Sequence, residues 1–435
     1  LAPLSQDADD NQVAMEIVST LEVLFLVIAV TLFICLYLLG PIVVTQWLGT
    51  KGYAIQDISH LTRMAVSALA LQWPASLYSA ALAGMHRPER AAFSLAIVVS
   101  IRAIGSIVVL ATIGTFESFF WVQIVASLVL STVLRSEIWR VIRAGKNIKY
   151  RIRLNHIGEL AGFSASMGGV SLVAVVLPQV DKLVLSGILE PEAFGYYAVA
   201  STLASGISFF TVPIFNLIYP KFSALAFSGK ITRLVSEYFK ILKFSVILLF
   251  PVLAIFVYFG SQAIFVFSGL RTPSSDLELA LVLLSFGHAI LGVMHVPYAA
   301  KIAFGRARGI LAINVFGLVV LILSALWLGK WLGALGGALA WLSYALIFAV
   351  GMLGISIAEL RTPKAYFEVL RDICPTLVLV LLCGGVLRLA SFDDLSRILT
   401  LIWMAFSCFA LYAVVWGLEK PLWAELRQTF NRESE

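Results

Sequence analysis

The chain has 435 residues, 60% of them hydrophobic and only 13% charged, with a formal net charge of +6 and a mean hydropathy of +0.95. Soluble domains carry about a quarter charged residues, so this composition excludes a water-soluble fold and predicts an all-α integral membrane protein. It also argues against a nucleic-acid partner, because no basic run is interleaved with aromatics in a foldable module, and a bilayer gives positive charge its own use in cytoplasmic loops.

The first residues, Leu1–Asn11 (LAPLSQDADDN), lack the basic and apolar regions of a signal peptide and read as the interior of a longer chain. Asp7, Asp9 and Asp10 read as helix-capping acids. Hydrocarbon offers the backbone no hydrogen-bond partner but itself, so each apolar run of about 17–25 residues reads as a spanning helix. Twelve are predicted, over residues 21–39, 63–83, 91–112, 117–136, 157–180, 193–217, 244–260, 279–299, 310–328, 333–356, 373–390 and 398–417, the seventh extending toward Phe267.

Pro74, Tyr78 and the basic turn Met85–Arg90 resemble Pro297, Tyr298 and the turn Arg306–Arg308. The tyrosines are 298 − 78 = 220 residues apart, and the Gly49 and Gly269 helix ends are separated equally. Such an internal repeat pairs spans one to four with seven to ten and leaves spans five and six without visible partners. The expectation is fourteen helices at full length: two pseudo-symmetric six-helix lobes plus two appended C-terminal helices. In residue terms, 1–136 is the N-terminal lobe, 137–156 a basic cytoplasmic linker, 157–356 the C-terminal lobe, and 357–435 the appended helices and tail.

Of 31 Lys and Arg, 23 fall on the face that holds both visible termini and 7 on the other, with Arg102 inside a span. The bias places both termini in the cytoplasm. The stretch Arg135–Arg153 reads as the positive-inside linker, and Glu159 as a helix-start acid. Arg102 lies near the bilayer midplane, where a charge costs several kcal/mol unless it meets a partner or a wet cavity. His288 and His295 lie seven residues apart and read as structural hydrogen-bonding groups ahead of a proton-responsive stripe. Gln72, Gln123, Gln179 and Asn314 are polar groups in or near spans, open to packing or ligand roles.

Cys35, Cys374, Cys383 and Cys408 sit in apolar runs without a paired motif and read as small hydrophobes. No nucleophile elbow, phosphate loop or zinc signature occurs, so the chain is expected to be no enzyme and to carry no cofactor or metal. A coupling ion, H+ or Na+, is not identified by any motif.

The segment from Gln179 to Tyr197, QVDKLVLSGILEPEAFGYY, resembles the "D-K-hydrophobic … G-x-Y-x-x-A" hairpin of bacterial polysaccharide-unit flippases. These are Wzx-type members of the multidrug/oligosaccharidyl-lipid/polysaccharide exporter superfamily. The Pro-Lys-Phe at Pro220–Phe222 and the glycine cluster Gly333–Gly337 are also similar. Read from the residues alone, Asp181 and Lys182 are an opposite-charge pair reaching the external interface, and Gly195 with the small residues Ala198 to Gly206 allows close helix packing.

The resemblance implies a transporter that flips lipid-linked oligosaccharide from the cytoplasmic to the outer leaflet of the bacterial inner membrane by alternating access, in lipopolysaccharide or exopolysaccharide biosynthesis. Its partners would be that lipid-linked substrate, membrane lipids and other polysaccharide assembly proteins. Arg102, Arg63, Lys182, Asp181 and Gln179 are the candidate substrate-binding residues. A drug or small-solute exporter of the same superfamily is the alternative, and would want acids inside its spans. A polytopic polysaccharide polymerase or transferase would want a large external loop.

Overall fold

The structure is a computed structural model that describes residues 8–48, 55–85, 87–143, 176–305, 308–360, 365–390 and 395–418. The described residues are helical nearly throughout, and no strand occurs among them. Span five as far as residue 175, Glu159, the linker from residue 144 onward, Asp7, Gly49 and Arg306 lie outside them. The chain divides into two compact units, Leu1–Gly169 and Val170–Glu435.

The first unit contains α1 (Ala8–Leu48), α2 (Ile55–Gly84), α3 (Pro88–Thr112) and α4 (Phe116–Arg143). Proline opens α3 at the one place where its missing N–H costs nothing. α2 packs along α1 and α4, and α3 packs on α4. Helix α1 starts well before the predicted span, because Met15, Val18, Ser19 and Glu22 recur at i, i+3, i+4 and i+7 and are buried as one face. Beyond Glu22 the helix turns lipid-facing, with Leu38 61% and Val43 58% exposed. The buried core therefore gathers at one end of the unit, around Tyr78, Leu82, Leu134, Ile138 and Ile142.

The second unit contains α5 (Val180–Ile188), α6 (Pro191–Ser205), α7 (Thr211–Phe227), α8 (Ile231–Tyr258), α9 (Gly260–Ser268), α10 (Ser275–Val293), α11 (His295–Ala303), α12 (Arg308–Leu360), α13 (Ala365–Leu389) and α14 (Arg397–Leu418). A 3-10 stretch, Gly206–Phe210, joins α6 to α7, just before Pro213 withholds an N–H from the helix ladder. The predicted sixth span is thus part of a longer run, Pro191–Phe227. Helix α10 is central and packs on α6, α8 and α12. Gly287 faces the Trp341 ring there, and Gly292 faces Leu249 and Thr211, the close approach that drives helix association where lipid removes the hydrophobic gain. The two last helices dock on α8: Tyr412 donates to the Leu248 carbonyl at 2.6 Å, and Gly384 of α13 lies under the Tyr258 ring.

α12 is two passes rather than one. Gly333 breaks it at φ 58°, ψ −131°, a conformation glycine alone adopts without strain. A Cβ at Gly336 would strike the backbone of Leu328, and Gly351 sits against Ile313. Tyr344 meets Asn314 at 3.4 Å. The limbs are antiparallel, as the predicted spans nine and ten require.

Among the described residues eight helices are long and apolar enough to cross a membrane, with a shorter apolar one at Ile373–Leu389. The difference from twelve is accounted for by α2, whose Asp57, His60, Arg63 and Gln72 lower its hydropathy, by α12 doubling back, by that shorter helix, and by the largely undescribed fifth span. The 220-residue repeat reappears in the element bounds. Shifting α2 by 220 gives 275–304, against α10 and α11 together at 275–303. Shifting α3 gives 308–332, against an α12 limb that starts at Arg308 and breaks at Gly333.

Candidate functional site

In the first unit, polar side chains collect on the facing sides of α2, α3 and α4. Arg102 is half-buried in α3, about 21 Å along the helix from its start at 1.5 Å per residue. Its guanidinium donates to the Gln72 carbonyl oxygen of α2 at 3.2 Å, and among the described residues no carboxylate pairs with it. One turn on, Ser106 accepts from the Gln123 amide of α4 at 2.9 Å, and Ser131 of α4 donates to the Leu71 carbonyl. The result is a ladder of neutral hydrogen bonds around one uncompensated cation. Each rung leaves spare acceptor or donor capacity for a hydrated, anionic ligand.

Arg63 is separate. It is exposed and lies over the Tyr37 ring at 5.3 Å, some 14 Å along α2 from Gln72 at the helical rise. The repeat does not duplicate most of the ladder: 220 residues after Gln72, Arg102, Ser106 and Ser131 stand Gly292, Ile322, Leu326 and Gly351, and only Gln123 has a polar counterpart, Ser343. The intramembrane cation and its Gln72 partner have no polar counterpart in the second repeat.

A second polar cluster was not anticipated. Glu22 of α1 is 2% exposed and accepts from Tyr78 at 2.7 Å and from the Arg135 Nε at 2.6 Å, while Arg135 also lies 6.0 Å over Trp139. Glu22 lies at the start of the span predicted over 21–39. The i, i+3, i+4, i+7 face from Met15 to Glu22 was the available signal. Nearby, Glu137 takes Arg90 at 3.2 Å and Arg140 at 2.8 Å, tying α3 to α4. Trp139 is buried at 8% exposure, so this part of the basic stretch continues α4.

In the second unit, Asp181 does not reach the interface. It is 1% exposed and accepts from Tyr197 at 2.6 Å, with the Lys182 ammonium at 3.7 Å and also donating to the Pro178 carbonyl. The turn Leu189–Glu190, with Pro191 opening α6, folds Tyr197 back onto Asp181 because both backbone residues are extended, at ψ 154° and 148°. The charged and aromatic residues of the hairpin motif are thus its internal latch, and Gln179 remains exposed at its start. Close packing comes from Ala200, Ser201 and Ala204, all buried. Gly195 and Gly206 have open space where a Cβ would stand.

The two histidines do not form a stripe. His288 meets the Ser208 hydroxyl at 3.2 Å and the Trp341 ring, whereas His295 starts the next helix and contacts the Leu291 carbonyl. No group of three or more His, Cys, Asp or Glu suited to a metal occurs among the described residues.

Arg102 thus meets Gln72 within the first unit, and Asp181 meets Lys182 within the second. A solved structure described as "Lipid II flippase MurJ, inward closed conformation" has a similar fold, with a TM-score of 0.68 at 14% sequence identity over 95% of this chain and 85% of that one. No curated protein matches the chain in sequence. Residues 6–271 match the family described as "Polysaccharide biosynthesis protein", in keeping with the resemblance read from the Asp181–Tyr197 hairpin. The chain, all-helical and multi-span, therefore belongs to the polysaccharide biosynthesis protein family.

Proposed function

We propose that this protein is a transporter, not an enzyme, that flips a lipid-linked oligosaccharide from the cytoplasmic to the outer leaflet of the bacterial inner membrane, supplying surface polysaccharide such as lipopolysaccharide or exopolysaccharide. The observation that carries the reading is Arg102: a cation well inside a span whose side chain, among the described residues, bonds to a neutral amide and to no carboxylate, in a chain of the polysaccharide biosynthesis family. A phosphate-bearing headgroup is the ligand such a group attracts, and the amides and hydroxyls beside it suit sugar hydroxyls. Residues 1–136 and 157–356 would act as the two lobes of an alternating-access cycle, with 357–435 appended and 137–156 as the linker between them.

The exporter reading gains one observation, a buried acid, Glu22, inside a helix. Arg135 and Tyr78 already satisfy one of its oxygens, which makes it a joint between helices before it is a free coupling site. The experiment is loss and rescue. Deleting the gene should leave lipid-linked oligosaccharide in the inner leaflet of spheroplasts, protected from added glycosidase, and expression of the intact gene should return it to the accessible leaflet. Unchanged accessibility after deletion, together with lost efflux of a cationic dye, would replace this reading with the exporter.

The 23 to 7 division of basic residues sets the orientation. In a background without native cysteines, Gly229→Cys should be labelled by an impermeant thiol reagent only after permeabilisation, and Pro273→Cys in intact cells. The reverse pattern would invert the protein.

A further inference from the structure

At the end of the second unit opposite the Gly229 turn, two arginines share one aromatic ring. Arg271, just after α9, has its guanidinium carbon 5.2 Å from the centre of Phe265, and Arg397, the first residue of α14, has its own at 5.7 Å from the same ring. Between them lies a hollow of about 490 Å3 lined by Phe265, Gly269, Arg271, Ser396, Arg397 and Ile398. Gly269 makes the approach possible. It ends α9 at φ 84°, and a Cβ there would overlap the Arg397 guanidinium.

Two like charges so placed repel unless something neutralises them. A Phe face attracts each guanidinium but carries no net charge to neutralise the pair and supplies no hydrogen-bond acceptor. Neither arginine is in an ion pair among the described residues. Asp276 and Glu278, in the first turn of the neighbouring α10, bridge to neither. Asp393 and Asp394 precede Arg397 in the chain and lie outside the described residues. α14 also begins here: Ser396 accepts the Leu399 N–H at its side chain, and a helix start favours negative charge.

We propose that Arg271, Arg397 and the start of α14 form a binding site for a phosphate group, occupied by the headgroup of an anionic phospholipid in the adjoining leaflet. The lipid's phosphodiester sits between the two guanidinium forks, and its acyl chains run down the apolar face of α14, where Ile398, Leu401 and Ile402 are exposed. The site does not depend on what the protein transports. It fixes the start of α14, and through it the appended helices, to the membrane surface.

The test is native mass spectrometry of the full-length protein released from nanodiscs of phosphatidylcholine doped with phosphatidylglycerol. The intact protein should retain one phosphatidylglycerol that the double variant Arg271→Gln/Arg397→Gln loses, with occupancy falling at least about fivefold. Arg397→Lys, which keeps the charge but not the fork, should fall in between. Lys330→Gln removes an exposed cation elsewhere, in α12 just before its break at Gly333, and should retain the lipid fully. A parallel titration with inorganic phosphate in detergent separates the sources: phosphate bound without phosphatidylglycerol would overturn the lipid assignment. Equal losses in the double variant and Lys330→Gln would reduce the effect to general surface charge, and undiminished retention in a correctly folded double variant would remove the site.

Discussion

Arg102→Ala is expected to cut surface polysaccharide display by at least about tenfold at unchanged protein abundance, with Arg102→Lys in between. A hydrogen bond to a charged group is worth about 1.5–3 kcal/mol, and 1.36 kcal/mol is a tenfold effect on a rate. One lost guanidinium–phosphate contact therefore suffices. Lysine keeps the charge and loses the bidentate grip on phosphate oxygens. Abundance has to be followed beside display, because a purely structural arginine would fail through folding. The geometry argues against that route: its bond goes to Gln72, a neutral partner that is itself exposed, and among the described residues removing the arginine strands no buried carboxylate. Full display by Arg102→Ala at normal abundance would take this residue out of the substrate path.

The second large effect is expected at Gly336. Its missing Cβ is the space in which the second limb of α12 passes the Leu328 carbonyl and the Gly329 amide. A methyl group there meets backbone, which cannot rotate away as a side chain can. Overpacking a well-packed site costs about 1–3 kcal/mol, and losses of about 1–2 kcal/mol already change cellular abundance several-fold. Gly336→Ala should therefore lower the amount of membrane-inserted protein several-fold, measured by fluorescence of a C-terminal fusion in isolated membranes. Gly195→Ala, with no atom within 4 Å of the added methyl, is the matched control and should leave the amount unchanged. Normal levels of Gly336→Ala would mean that the limbs separate at this level, and that the bend at Gly333 is looser than its backbone angles describe.

Local patterns carried the helical plan. Spanning runs, the stop at Leu189 with the restart at Pro191, and the 220-residue repeat were legible because a bilayer imposes helix length and apolarity segment by segment, with no need to know which segments touch. The early start of α1 was equally local, written in the Met15 to Glu22 face, and was passed over only because residues 8–20 are less apolar than a span centre. Arg102 could be placed near mid-span by counting residues.

What counting could not supply was partnership. Asp181 looked like half of an interfacial pair and is a buried acceptor for Tyr197, because the Leu189–Glu190 turn returns the chain on itself. Glu22 meets an arginine 113 residues away, and Arg271 shares the Phe265 ring with Arg397 although the arginines are distant in sequence. Hydropathy is a property of each residue against lipid, so the sequence by itself determines which segments enter the membrane. Compensation of charge depends on which helices pack together, so only the tertiary structure decides that Glu22 is held by Arg135, that Arg102 has no carboxylate partner among the described residues, and that Arg271 and Arg397 converge on one ring.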